Sequence, residues 1–219
     1  MLPLIRKLRF LFLFLVTLLF CMITAVNAEL GLPQITDFIF AVLFMTSLLV
    51  IGEKEDKFFA WLIVLGIIQL VQITLNIWIA HALFAVFKAF FGMTFFLLLT
   101  VASLRLTLQD KTISVTTLFG SLSGYLFIGL AFAYFYLMVY GLFPPSFSGL
   151  TPYPEVRAIY YSFITLTTVG FGDIVANSPL MQTLSWIESF CGQAYMAVFI
   201  SLLVGRYVAE SVQAKASAL

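Results

Sequence analysis

Six runs of about 20 apolar residues constrain this chain more than any other feature. They fall at about 8–26, 35–51, 58–78, 89–106, 122–143 and 179–207. At about 1.5 Å rise per residue, a helix of that length crosses the roughly 30 Å hydrocarbon core of a bilayer. The chain is 63% apolar and 10% charged, which leaves no room for a sizeable water-soluble domain. The expectation is an all-α integral membrane protein with six transmembrane helices. A net charge of +1 points to no nucleic-acid or acidic partner.

The placement of the cations orients the runs. Arg6, Lys7, Arg9, Lys54, Lys57, Arg105, Lys111, Arg206 and Lys215 lie at one set of ends, and Lys88 and Arg157 at the other. The positive-inside rule then puts both termini in the cytoplasm after six crossings. The expected location is the cell membrane, a bacterial inner membrane. A second reading applies to the N-terminus: Arg6, Lys7 and Arg9, an apolar run, then Val26-Asn27-Ala28 also fit a cleavable signal peptide. The retained span is the favoured reading, and cleavage would leave five crossings with the rest unchanged. Cys21 and Cys191 sit in apolar runs, as small buried hydrophobes would.

The last two runs are separated by a segment of another kind. Pro144-Pro145 closes the fifth run, since proline cannot continue a helix. A Pro/Gly/Ser-rich stretch follows over 146–154 and reads as a loop. Pro154 and Glu155 suit a helix start, and a short helix is expected over about 155–166. Then comes Thr167-Thr168-Val169-Gly170-Phe171-Gly172-Asp173. Glycines at alternate positions can take φ > 0 without a Cβ clash. Alternating handedness aims successive carbonyls to the same side, where an extended strand would alternate them. A ring of such carbonyls can replace the water around a bare potassium ion.

Thr168-Val169-Gly170-Phe171-Gly172 resembles the TVGYG filter of potassium channels, with Phe in place of Tyr. With Thr165-Leu166-Thr167 before it and Asp173 after it, the stretch 122–206 resembles the pore domain of the potassium channel superfamily. The resemblance implies a re-entrant pore helix and filter loop, four subunits around one axis, and passive K+ conduction. It implies K+ coordination at Thr168, Val169, Gly170 and Phe171, with Gly172 and Asp173 shaping the mouth. It places Tyr160 within reach of Asp173, a bond expected to brace the filter; ordinary aromatic packing is the other reading. Gly192, 19 residues after Asp173, matches the family's inner-helix hinge. Close helix packing of a small residue is the alternative. Met196, Ile200 and Val204 recur every four residues below it and would line a cavity able to close by dewetting. Glu188, an acid in an apolar helix, is expected to bond Ser162, Thr165 or water behind the filter, as a filter support.

The fourth run carries Lys88 and Arg105, 17 residues apart, and not the closely spaced ladder that a voltage sensor needs. At most weak voltage dependence is expected. Gln69, Gln72 and Asn76 share one helical face and are expected to bond neighbouring helices or to line a wet pocket. His81 is expected to be solvated, and 53–57 to form a charged turn. The Thr/Ser-rich stretch 112–123 is expected to be a linker helix at the inner membrane surface. The division is then a four-helix unit over 1–111, a pore domain over 112–210 and a short tail over 211–219. Neither a metal cluster, a nucleotide loop nor a nucleophile–base pair is evident, so no enzyme and no cofactor is expected. Two alternatives stay open: a non-conducting accessory subunit of a cation channel, and a transport-system subunit with a degenerate pore loop.

Overall fold

The computed structural model describes residues 2–31, 33–51, 57–75, 82–109, 115–201 and 204–209. The described side chains run over 9–31, 38–50, 59–72, 83–109 and 118–199, with 201 and 204–209. Seven α-helices account for most of it: α1 Leu2–Leu30, α2 Pro33–Ile51, α3 Lys57–Leu75, α4 Ala82–Gln109, α5 Val115–Leu142, α6 Pro154–Leu166 and α7 Pro179–Ala194. Two strands of two residues, β1 Phe147–Ser148 and β2 Val175–Ala176, pair antiparallel. Four stretches are long and apolar enough to cross a membrane: Arg9–Leu30, Leu83–Gln109, Leu118–Leu142 and Pro179–Ala209. Shorter apolar stretches, Phe38–Val50 and Phe59–Gln72, lie in α2 and α3. The chain is thus an all-α, multi-pass membrane protein.

The first four helices are built onto the outer helix of the last third. The most extensive packing is between α4 and α5, and α1 also lies along α5. Phenylalanines fill the junction. Phe20, Phe95, Phe96 and Phe127 are all at most 1% exposed. Phe96 meets the rings of Phe20, Phe95, Phe127 and Tyr134 at centroid distances of 5.4–6.2 Å. Glycines let the backbones close in: a Cβ on Gly92 would overlap the Tyr134 ring, and one on Gly129 would lie 2.8 Å from Phe163. Near the start of α4, Lys88 Nζ pairs with Glu155 Oε1 of α6 at 2.7 Å.

Two expectations are corrected here. Residues 115–123 are not a separate surface helix; they are the first turns of α5. Their hydroxyls turn back onto the helix, Ser121 Oγ to Leu118 O and Ser123 Oγ to Phe119 O, so polar side chains cost the helix little inside the bundle. Ser103 Oγ of α4 also donates to Gly120 O. Of Gln69 and Gln72, the first makes none of the expected cross-helix bonds among the described residues. Both are buried, and neither amide atom of Gln69, nor Gln72 Oε1, has a hydrogen-bond partner. Asn76, His81 and the side chains of 53–57 lie outside the described residues. Cys21 and Cys191 are free and half-buried.

The Phe96 junction yields a direct stability test. Phe96→Ala should cost about 3–5 kcal/mol by removing a fully buried ring. Leu97→Ala, at a side chain 47% exposed, should cost under about 0.5 kcal/mol. Thermal or denaturant unfolding in detergent compares them, and equal losses would refute the packing described.

Candidate functional site

The segment between α5 and α7 is held at both ends before it reaches the glycines. After Leu142 a short 3-10 turn, Pro144–Ser146, leads into β1. β1 pairs with β2 in the register Phe147↔Ala176 and Ser148↔Val175. Asn177 Nδ2 donates to Ser148 Oγ at 2.8 Å and to Pro145 O at 3.2 Å, and Gln182 Nε2 donates to Ala176 O at 3.0 Å. The loop before α6 is thereby tied to the strand that follows residue 173. Arg157 adds a second tie from α6, its guanidinium donating to Gly149 O and Thr151 O. The helix starts are as their sequences dictate: Pro154 and Glu155 open α6, and Ser178 caps α7 by accepting from Met181 N.

α6 ends at Leu166, and the backbone then alternates. Thr168, Gly170 and Gly172 have φ of 61°, 51° and 79°, while no positive φ occurs at Val169 or Phe171. This is the alternation that the two glycines were expected to allow, extended to Thr168. A non-glycine residue in this region is sterically costly, so the surroundings must hold it. They do so through Thr168 N to Thr165 O at 2.9 Å and Gly170 N to Ile164 O at 3.0 Å. Residues 167–173 are all exposed, Val169 at 54% and Phe171 at 71%.

Each sequence-derived site residue can now be located. Tyr160 Oη donates to Asp173 Oδ1 at 3.1 Å, the contact expected from the sequence. The Tyr160 ring also stacks on Phe171, centroids 6.5 Å apart and planes within 3°. Glu188 is fully buried and bonds Ser162 Oγ through Oε1, as expected, but also Tyr136 Oη through Oε2 at 2.6 Å. Sequence reading missed Tyr136, which stands among many aromatics of α5 and is 52 residues away in the chain. Its ring joins Phe147 and Tyr161 in an edge-to-face trio with centroids 5.2–5.4 Å apart, behind the alternating loop. Tyr161 Oη and Ser185 Oγ are 2.7 Å apart, and Ser189 Oγ donates to Thr165 O at 2.9 Å. α7 is thus stitched to α6 along two successive turns.

The four inner-helix positions behave less uniformly. Gly192 lies inside unbroken α-helix, and a Cβ there would overlap the Leu166 carbonyl oxygen. That close approach is the small-residue packing weighed as the alternative to a hinge. The departure from α geometry comes one turn later, in a π-helical segment Tyr195–Ile200. Tyr195 anchors it by donating to Ser121 O and packing on the Tyr125 ring, whose hydroxyl donates to Leu166 O at 3.3 Å. Met196 and Val204 are exposed, and the Ile200 side chain lies outside those described. Gln193 Nε2, absent from the expected set, lies 3.4 Å from Thr168 Oγ1.

Residues 115–209 match the ion channel family. Parts of the chain are also similar to proteins named as potassium channels. "Potassium channel subfamily K member 4" of Rattus norvegicus is 40% identical over 63 residues, covering 26% of this chain and 16% of that protein. "Two pore potassium channel a" of Oryza sativa is 40% identical over 53 residues, covering 24% and 15%. "Two-pore potassium channel 4" of Arabidopsis thaliana is 30% identical over 90 residues, covering 41% and 30%. The chain therefore spans less than a third of the length of these relatives. No solved structure matches it.

The contact at Gly192 separates packing from hinging. Gly192→Ala should lower the folded yield and the melting temperature sharply, whereas Gly205→Ala, with open space at its Cβ, should leave both unchanged. A Gly192→Ala protein as stable as the parent would contradict the packing role.

Proposed function

We propose that this chain is one subunit of a homotetrameric channel that conducts K+ passively across a membrane. One observation carries the reading: the alternating backbone of Thr168-Val169-Gly170-Phe171-Gly172, with positive φ at every second residue. Such a loop presents successive carbonyls on one side, the arrangement that substitutes for the hydration shell of a potassium ion. A single copy supplies one wall. Four copies around a closed axis complete the ring, through a heterologous interface that covers the exposed loop. Thr168, Val169, Gly170 and Phe171 supply the coordinating planes, and Gly172 and Asp173 form the outer mouth. The pore-helix carbonyl end faces the axis beneath them, where partial negative charge favours a cation.

In this reading the six apolar runs make six crossings with both termini in the cytoplasm, as the distribution of Lys and Arg favours. Non-helical backbone at membrane depth is tolerable here because it lines a water-filled path and is otherwise buried in protein. The first four helices carry too few spaced cations for steep voltage dependence. Tyr160, Asp173 and Glu188 support the filter. Gly192 seats the inner helix against the pore helix, and Met196, Ile200 and Val204 belong to the inner end of the conduction path.

Reconstitution in liposomes tests the reading. Purified protein should pass K+ down its gradient and pass Na+ far more slowly. Gly170→Ala should abolish K+ flux through backbone strain alone, since nothing lies within 4 Å of its added Cβ. Equal K+ and Na+ permeation, or no flux from the intact chain, would overturn it; no flux would favour an accessory subunit. Tyr160→Phe removes the bond to Asp173 and keeps the stacked ring, so K+ flux should decay faster during sustained opening. Unchanged decay would remove Tyr160 from the filter support.

A further inference from the structure

Behind the filter loop three helices meet at one buried carboxyl group. Glu188 Oε2 of α7 lies 2.6 Å from Tyr136 Oη of α5, and Oε1 is bonded to Ser162 Oγ of α6. Ser162 Oγ is also 2.6 Å from the carbonyl oxygen of Gly129, on α5. A serine hydroxyl has one proton to donate, and a carbonyl has none. The approach to Gly129 therefore uses the Ser162 proton. Nothing remains on Ser162 to bridge to Glu188, and two bare oxygens at hydrogen-bond distance would repel. The phenolic proton of Tyr136 is already spent on Oε2. A proton on Glu188 satisfies all of these contacts at once.

We propose that Glu188 is a proton-binding site: a neutral carboxylic acid whose O–H donates to Ser162 and so joins the inner helix to the pore helix. The surroundings favour that state. The titratable groups facing it are Tyr136 and Tyr125 of α5 and Tyr161 of α6, all phenols that stay neutral near neutral pH. The neighbouring hydroxyls of α7 are engaged elsewhere, Ser185 Oγ with Tyr161 and Met181 O, and Ser189 Oγ with Thr165 O and Ser185 O. Two neutral hydroxyls bond the carboxyl oxygens, and an unpaired buried carboxylate is costly. Deprotonation removes the bridging hydrogen, so Ser162 must leave either Gly129 or Glu188. Ser162 stands four residues before Leu166, where α6 gives way to the filter. Glu188 is thus a positioning residue, and proton loss at its carboxyl loosens the seat of the pore helix. The proton site stands on the geometry of a single chain; its consequence for ion flow rests on the function proposed above.

Infrared spectroscopy of the purified full chain reads the proton directly. At neutral pH the difference spectrum between wild type and Glu188→Gln should contain the C=O stretch of a protonated carboxylic acid. Ser162→Ala should keep that band and shift it to higher frequency, because the O–H loses its acceptor. In liposomes, wild-type K+ flux should fall on alkalinisation, by up to about tenfold per pH unit for a single titrating group. Glu188→Gln retains an N–H donor for Ser162 and an oxygen for Tyr136, so it should conduct and lose that pH dependence. Absence of the band at neutral pH, a band indifferent to Ser162→Ala, or a flux profile unchanged by Glu188→Gln would overturn the proposal. The infrared band is read whether or not the protein conducts, so a failure of ion flux alone leaves this inference to be decided on the spectrum.

Discussion

A cation stripped of water needs oxygens on one side of a backbone that would ordinarily point them both ways. Alternating handedness at residues 168–172 meets that demand, and it is intrinsically unfavourable. Glycine removes the penalty at two positions, but Thr168 also takes a positive φ and bears a side chain. The strain is held by bonds from the loop back to the last turn of α6, and α6 in turn is held from three directions. Arg157 and the β1–β2 pair fix its outer start, the Tyr136–Phe147–Tyr161 trio packs its flank, and hydroxyl and carboxyl groups of α7 bond its inner half. None of these contacts is strong alone. Their convergence on a 13-residue helix is what lets a costly loop persist.

The first four helices are part of that support. α1 and α4 pack along α5, and α5 carries both Tyr136 and the Gly129 carbonyl that Ser162 reaches. Lys88 extends the connection to the start of the pore helix through Glu155. An ion pair with Glu155 half-exposed adds little stability, at most about 1 kcal/mol. Its position matters more, because it links α4 to the helix that leads into the alternating loop.

Features that depend on local spacing were legible in the sequence. Proline and the acid beside it marked the start of α6 to within a residue, and the glycines announced the alternating loop. The Tyr160–Asp173 contact followed not from spacing but from the resemblance to potassium channel pores. Long-range partners could not be anticipated. Tyr136 is one aromatic of many in an apolar run, and only folding shows that it faces Glu188. The π-helical segment begins at Tyr195, which bonds Ser121 O 74 residues away, and no periodicity in α7 foretold it. The stretch 115–123 misled because serine and threonine lower hydropathy, although inside a bundle they bond their own helix. Gln69 misled in the other direction: its face suggested a partner that no described neighbouring residue supplies.

Anomalous diffraction from crystals grown in thallium or rubidium salt addresses the shared ring of carbonyls most directly. Electron-dense monovalent ions should appear in a column on a fourfold axis, level with the carbonyls of residues 168–171 from four copies of the chain. Ions bound elsewhere, or a 168–172 segment remote from any symmetry axis, would contradict the arrangement.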